Sequence, residues 1–270
     1  FGLYYSGALD WHVTDFPPIE SDTDLFRFRR HDERFSRYAA AQLEELVDRF
    51  APDVLWNDIE WPDGGKGRED YAVAALLERY FDKVPEGVVN DRWGVPYHGF
   101  LTREYMAIDE IVESPWEATR GLGFSFGYNR AEGEEQTLSG AELIRLLVDV
   151  VSKNGNLLIN VGPRADGSIP ELQAASMAEL GRWLRAHGEA IHGTRPWVRF
   201  GDGDVRYTTK GGTVYALLDP AVGELPVPHG LAGRRLRWLG ADGEVDVAAG
   251  DRVAVPHLVR DEPVAVAAFV

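Results

Sequence analysis

Residues 53–62 read DVLWNDIEWP. An apolar run, Val54, Leu55 and Trp56, stops at Asn57 and Asp58, and a second acid, Glu60, follows between Ile59 and Trp61. A short apolar run with polar ends is the pattern of a strand covered on both faces. A carboxylate pointing inward among indoles is costly unless it is paired. The end of this strand therefore reads as a site, although one segment names no reaction.

Working outward, FGLYYS (1–6) and GVVND (87–91) read as further strands. ERFSRYAAAQLEELVDRF (33–50) has apolar residues at three- and four-residue spacing and reads as an amphipathic helix, as does EDYAVAALLERYF (69–81). DEIVES (109–114) is expected to be a strand, and SGAELIRLLVDVVSK (139–153) a helix capped by Ser139. NLLINVGP (156–163) is apolar nearly throughout, as a parallel strand buried on both faces would be, and 170–188 is a helix with Pro at its start and Gly at its end. Alternating strands and helices imply βαβ units and a parallel sheet. No glycine-rich phosphate loop follows any of these strands, so a (β/α)-barrel is the better expectation than a nucleotide-binding sheet. Barrel sites lie at the C-terminal ends of the strands.

The pattern changes near Thr194–Pro196. GDGDVRYTTKGGTVYALL, RRLRWLGADGEVDVAAGDRVAVP and EPVAVAAFV are short alternating runs broken by Gly, Asp and Pro. They read as a small antiparallel β-sandwich. The expected fold class is thus α/β: a partial (β/α)8 TIM-like barrel over 1–195, N-terminally truncated, followed by a C-terminal antiparallel β-sandwich over 196–270. The truncation is expected because FGLYYS already looks like the middle of a core strand.

Composition narrows the function. With 44 acidic against 28 basic residues the formal net charge is −16. Nucleic-acid partners, which need a basic footprint, are disfavoured, and so are anionic membranes. A neutral substrate fits better. Without cysteine there is no disulfide, thiolate metal site or thiol catalysis. No apolar run approaches the roughly 20 residues of a membrane span. The histidines show no metal-binding spacing, and His187 and His192, near a helix end, read as structural.

Several polar groups fall at strand ends: Tyr4, Tyr5 and Ser6; Asp58; Asn90, Asp91 and Arg92; Glu113; Asn160. Aromatic residues and carboxylates on one rim suit sugar chemistry. Pyranose C–H faces pack on indoles, and breaking a glycosidic bond needs two carboxyl groups, one ionised and one protonated. Plainer readings stand beside this one. Asp58 has the position of a helix cap or loop ion pair, Asp91 of a partner for Arg92, and Trp56 and Trp93 of core residues. Glu60 reads as a loop residue.

With DVLWND, VVNDRWGVP, TREY, WEATRGLGFSFGYNR and VSKNGNLLINVGPRADGSIP in order, residues 1–195 resemble glycoside hydrolase family 29, the α-L-fucosidases. GLYYSGALDW resembles that family's fourth barrel strand and the following loop, so the family's first three strands, which carry much of the sugar-binding cup, are expected to be missing. The resemblance implies a (β/α)-barrel with a C-terminal β-sandwich, retaining hydrolysis of α-L-fucosides through a covalent glycosyl-enzyme, no cofactor or metal, and fucosylated oligosaccharides or glycoconjugates as substrate. It implies Asp58 as nucleophile and Glu104, in the T-x-E-Y segment, as general acid/base, with Glu117 in WEATRG as the rival. In a retaining enzyme the two carboxyl groups lie about 5–5.5 Å apart. Among sugar contacts it implies Trp56, Tyr4, Arg92 as a fixed charge near the carboxylates, and Phe126 against the C6 methyl of fucose. The alternatives are a non-catalytic carbohydrate-binding degenerate barrel and a related exo-glycosidase of altered sugar preference. Fucosyl linkage, oligomeric state and localisation are not legible.

Overall fold

The computed structural model describes residues 1–10, 12–13, 17 and 19–270, with only the backbone of Asp22. Trp11, which closes the GLYYSGALDW string, lies outside the described residues. The chain forms two compact units, Phe1–Thr102 and Arg103–Val270. It is a mixed α/β protein with parallel strands earlier in the chain and an antiparallel sheet toward its C-terminus.

In the first unit β1 (Gly2–Ser6), β2 (Val54–Asp58) and β3 (Val88–Val89) form a parallel sheet in the order β1-β2-β3. Helices α1 (Asp22–Phe28), α2 (Glu33–Phe50) and α3 (Val73–Lys83) connect them. Asp32 caps α2 by accepting from the Phe35 amide, which satisfies an otherwise orphaned donor. The helical spacing read from 33–50 puts Phe35, Ala39, Ala40, Leu43 and Val47 on one buried face, packed with Leu76, Leu77 and Tyr80 of α3 and with Leu55 and Val89 of the sheet. Each fully buried large apolar side chain there contributes roughly 1.5–3 kcal/mol. Trp61 and Trp93 belong to this core and are fully buried.

In the second unit β4 (Leu101–Glu104, entered from the first unit), β5 (Trp116–Gly121) and β6 (Gly155–Asn160) form a sheet in that order, with β5 and β6 parallel. The strand expected over 109–114 is not there. Val112 instead donates to the Lys153 carbonyl, and the Asn154 side chain donates to the carbonyls of Val112 and Glu113, so this backbone is tied to the turn before β6 and the strand begins at Trp116. Glu113 therefore precedes β5 and ends no strand. β6 is covered less than its sequence suggests: Leu157 and Ile159 pack on the core, but Leu158 on the opposite face is exposed. Ser139 caps α4 (Gly140–Ser152) in a reciprocal pair with Glu142.

α4 and α5 (Glu171–His187) pack on one face of a six-stranded antiparallel sheet. Its strands are β7 (Arg195–Asp202), β8 (Val205–Lys210), β9 (Thr213–Leu218), β11 (Arg235–Trp238), β12 (Glu244–Asp246) and β14 (Ala265–Phe269). β10 (Glu224–Pro226) and β13 (Arg252–Ala254) pair separately. The two-residue period decides which side chain goes where. Val214, Ala216 and Leu218 of β9 face one core, while Tyr215 and Leu217 face the other, beside Leu143, Ile144, Leu180 and Trp183 of the helices. β14 divides in the same way, with Ala265, Ala267 and Phe269 against Val266 and Ala268. Both strands are thus buried on both sides although they are antiparallel.

His187, at the end of α5, is buried against Trp183, and its Nε2 is 3.9 Å from Glu262, too far for a hydrogen bond. Burial holds the imidazole below its ordinary range, with Glu262 pulling the other way. An unfolded histidine titrates near 6.5. Below that pH the unfolded chain takes up a proton that the folded chain resists, so stability falls as pH falls. His187→Gln is expected to flatten the fall in urea midpoint measured below about pH 6.5. An unchanged slope would count against this role.

Candidate active site

The parallel pairing of β1 with β2 sets Tyr4 beside Trp56 and Ser6 beside Asp58. Trp56 and Asp58 are two residues apart and share a face. Tyr4 stacks on Trp56 with ring centroids 5.5 Å apart, and its hydroxyl donates to Asp58 Oδ2 at 2.8 Å. The other carboxylate oxygen, Oδ1, accepts from Arg92 Nη1 at 3.1 Å, and the guanidinium lies 4.9 Å over the Trp56 ring. Asp58 and Arg92 are both about one-fifth exposed, so the pair is partly screened from water without being sealed off.

Arg92 is itself held. Its Nε donates to Thr102 Oγ1 at 2.9 Å, and Thr102 donates through its hydroxyl and its amide to Asp91 Oδ1 at 2.7 and 3.0 Å. Asp91 thus acts on Arg92 through Thr102. The two strand ends are stitched together by buried asparagines. The Asn57 amide donates to Asn90 Oδ1, Asn90 Nδ2 donates back to the Asn57 carbonyl, and Asn57 Nδ2 donates to the Arg92 carbonyl. An asparagine at the end of each of two neighbouring strands was the available signal for this bridge, because side-chain amides can continue a ladder where backbone pairing stops.

Immediately after Asp58 the backbone turns through two successive left-handed residues, Ile59 at φ 64° and Glu60 at φ 61°. That conformation costs roughly 1–2 kcal/mol for an L residue, and for a β-branched side chain it is a genuine outlier.

In the second unit Glu104 is the last residue of β4. Tyr105 follows at φ 49°, its amide donating to the Thr119 carbonyl and its hydroxyl accepting from the Gly121 amide. Glu104 therefore lies next to a residue anchored at the C-terminal end of β5. Glu117 is the second residue of that strand and accepts from Thr119 Oγ1 at 3.1 Å. Because the Tyr105 amide reaches the Thr119 carbonyl, Glu117 lies about two residues, roughly 7 Å, further back along the strand than Glu104. Phe126 is 39% exposed and meets the Tyr105 ring edge-on at 5.6 Å, with Arg120 over the same ring. Asn160, ending β6, donates to the Phe126 carbonyl.

Of the residues singled out in the sequence, Tyr4, Trp56, Asp58 and Arg92 meet around one carboxylate in the first unit. In the second, Phe126 packs on the residue after Glu104. Trp93 is core. Thr102 and Tyr105 were passed over as individuals, although both stand in the T-x-E-Y string. A half-buried carboxylate with a hydrogen-bond donor on each oxygen and an indole beside it has a fixed orientation, and it can attack or stabilise an electrophilic carbon placed over it.

Comparison with known proteins adds to this geometry. The family model for alpha-L-fucosidase matches residues 1–189. The plasma alpha-L-fucosidase of Homo sapiens is 33% identical over 245 residues, covering 85% of this chain and 50% of the relative. The tissue alpha-L-fucosidase of Homo sapiens is 30% identical over 280 residues, covering 96% and 58%. Among solved structures, a Thermotoga maritima alpha-L-fucosynthase superposes with a TM-score of 0.88 at 41% identity, over 100% of this chain and 63% of that one. The Thermotoga maritima alpha-fucosidase in complex with fucose gives 0.85 at 40%, over 100% and 64%. The chain spans about half the length of the curated relatives it matches.

Proposed function

This chain belongs to the α-L-fucosidase family, and from that premise we propose that it carries the catalytic pair of a retaining α-L-fucosidase, with Asp58 as nucleophile and Glu104 as acid/base. On this reading residues 1–195 are part of a (β/α)-barrel and 196–270 a β-sandwich. The observation that carries it is the Asp58 carboxylate, held by Arg92 on one oxygen and Tyr4 on the other beside Trp56. The solved Thermotoga maritima relative has been captured with fucose and with a mechanism-based inhibitor, which supports a fucosylated oligosaccharide or glycoconjugate as the substrate here.

In the first step Asp58 attacks the anomeric carbon as the bond to the leaving oxygen breaks, and Glu104 delivers its proton to that oxygen. In the second, Glu104 takes a proton from water, the water oxygen bonds to the same carbon, and Asp58 leaves as carboxylate. Two inversions give retention, which requires the carboxyl groups to stand about 5–5.5 Å apart. Its position at the strand end favours Glu104 over Glu117. Phe126 offers an apolar face to the C6 methyl, a contact of about 1–3 kcal/mol in discrimination against a sugar with a hydroxyl there.

The test is release of nitrophenol from 4-nitrophenyl α-L-fucoside, with the β-D-galactoside as control, by the 270-residue chain and by the longest reading frame that encodes it. Turnover of the fucoside alone, with the α-anomer of fucose appearing first by NMR, is expected. The β-anomer first would overturn retention. Silence from both proteins, each shown to be folded, would overturn hydrolysis and leave a carbohydrate-binding role.

A further inference from the structure

The left-handed turn at Ile59–Glu60 does not maintain itself, and its anchors lie close by. Arg29 Nη1 donates to the Ile59 carbonyl at 3.2 Å and lies 3.0 Å from Glu60 Oε2. Lys66 Nζ donates to the same Glu60 oxygen at 2.8 Å and also reaches Asp63 Oδ1 at 2.8 Å. Arg29 and Lys66 are largely buried, at 12% and 20% side-chain exposure, so these are not freely solvated surface charges. Burial opposes ionisation of Glu60, but the bonds and charges of Lys66 and Arg29 overcome it and hold the carboxyl below its usual range.

The same cluster touches the segment that carries Arg92. Gly94, two residues on from Arg92, is at φ 70°, and a Cβ there would come within 2.7 Å of both Glu60 Oε2 and Lys66 Nζ. The Trp61 amide donates to the Trp93 carbonyl at 3.0 Å. One ion cluster thus sits under both strand-end segments, the one bearing Asp58 and the one bearing Arg92.

We propose that Glu60 is a positioning residue: clamped between Arg29 and Lys66, it holds the left-handed turn after Asp58 and thereby sets the Asp58 carboxylate against Arg92. The catalytic part of this inference rests on the reading of Asp58 as nucleophile. Glu60 touches no reacting atom, and its effect passes through the geometry of its neighbours. Gln at this position keeps an oxygen that accepts from both cations, whereas Ala keeps nothing.

The test uses Glu60→Ala and Glu60→Gln in the longest reading frame encoding the chain, with 2-deoxy-2-fluoro-α-L-fucosyl fluoride as probe. In that reaction a bond forms from Asp58 to the anomeric carbon as fluoride departs, and mass spectrometry locates the label. Concentration dependence separates probe binding from the covalent step. Glu60→Ala is expected to slow the covalent step about 10- to 100-fold, as a small misplacement of reacting groups does, while binding changes by less than about threefold. Glu60→Gln is expected to recover most of the rate. Equal covalent rates in Glu60→Ala and wild type would overturn the proposal, and so would parallel loss of binding, covalent step and thermal stability. If the wild type is not labelled at Asp58, the nucleophile reading fails by itself, and a crystal structure of Glu60→Ala decides the clamp. Ile59 leaving the left-handed region and the Arg92–Asp58 contact opening would support it. An unchanged turn would overturn it.

Discussion

Asp58→Gly is expected to lower the turnover of 4-nitrophenyl α-L-fucoside by roughly 10⁴-fold or more, the scale on which a lost member of a catalytic unit is felt, and sodium azide is expected to restore part of it as β-L-fucosyl azide. The chemistry follows from what the carboxylate does. If Asp58 attacks the anomeric carbon, its removal leaves the departing oxygen assisted by the acid but nothing to receive the carbon. Glycine leaves a space in which a small anion fits, beside the positive charge of Arg92 and the Tyr4 hydroxyl that now lack their partner. Azide then attacks once, and one inversion of an α-fucoside gives the β-azide. Arg92→Ala supplies the contrast. It also loses activity, because Asp58 loses a donor and Trp56 the guanidinium over its ring, but the nucleophile is still in place, so azide should give no β-azide. Loss in Asp58→Gly without azide product, in protein that still binds fucose, would make Asp58 a binding residue and move the nucleophile elsewhere.

The sequence disclosed the elements whose evidence is local. The stop from Trp56 to Asn57–Asp58 marks the end of β2, and Ser139 with Glu142 three residues later marks the start of α4. It misled at 109–114, where Ile111 and Val112 among acids imitate a short strand, because the backbone's partners there are Lys153 and Asn154, about forty residues away. β4 was missed for the opposite reason: Leu101–Glu104 carries one large apolar residue, and its strand state is decided by pairing with β5. In the site, Tyr4, Asp58 and Arg92 were legible as polar groups at strand ends, whereas their proposed roles, and Trp56 as a sugar contact, came from the resemblance and from no periodicity argument. The Asp91–Thr102–Arg92 relay and the Glu60 clamp were not legible. Each needs side chains from different elements to converge, and the clamp depends on two backbone angles that Ile and Glu rarely adopt.

Glu104→Ala and Glu117→Ala are expected to part company on substrates that differ only in leaving group. A general acid contributes about 10²–10⁴-fold by protonating the departing oxygen, and that help matters most when the oxygen belongs to a sugar, which is a poor leaving group. Nitrophenolate departs with little help. Glu104→Ala should therefore lose activity on a fucosylated disaccharide by about 10²–10⁴-fold and far less in the defucosylation-independent burst of nitrophenol that precedes hydrolysis of the glycosyl-enzyme. The second step needs the same residue as base, so the covalent enzyme should accumulate and azide should speed its release. Glu117 sits near the start of β5, bonded to Thr119 and well back from the strand end at which Tyr105 is anchored. Its removal should affect both substrates equally and only as far as it loosens β5. If the leaving-group dependence appeared in Glu117→Ala and not in Glu104→Ala, the assignment of the acid would reverse, and the strand-end rule used to choose between them would fail for this sheet.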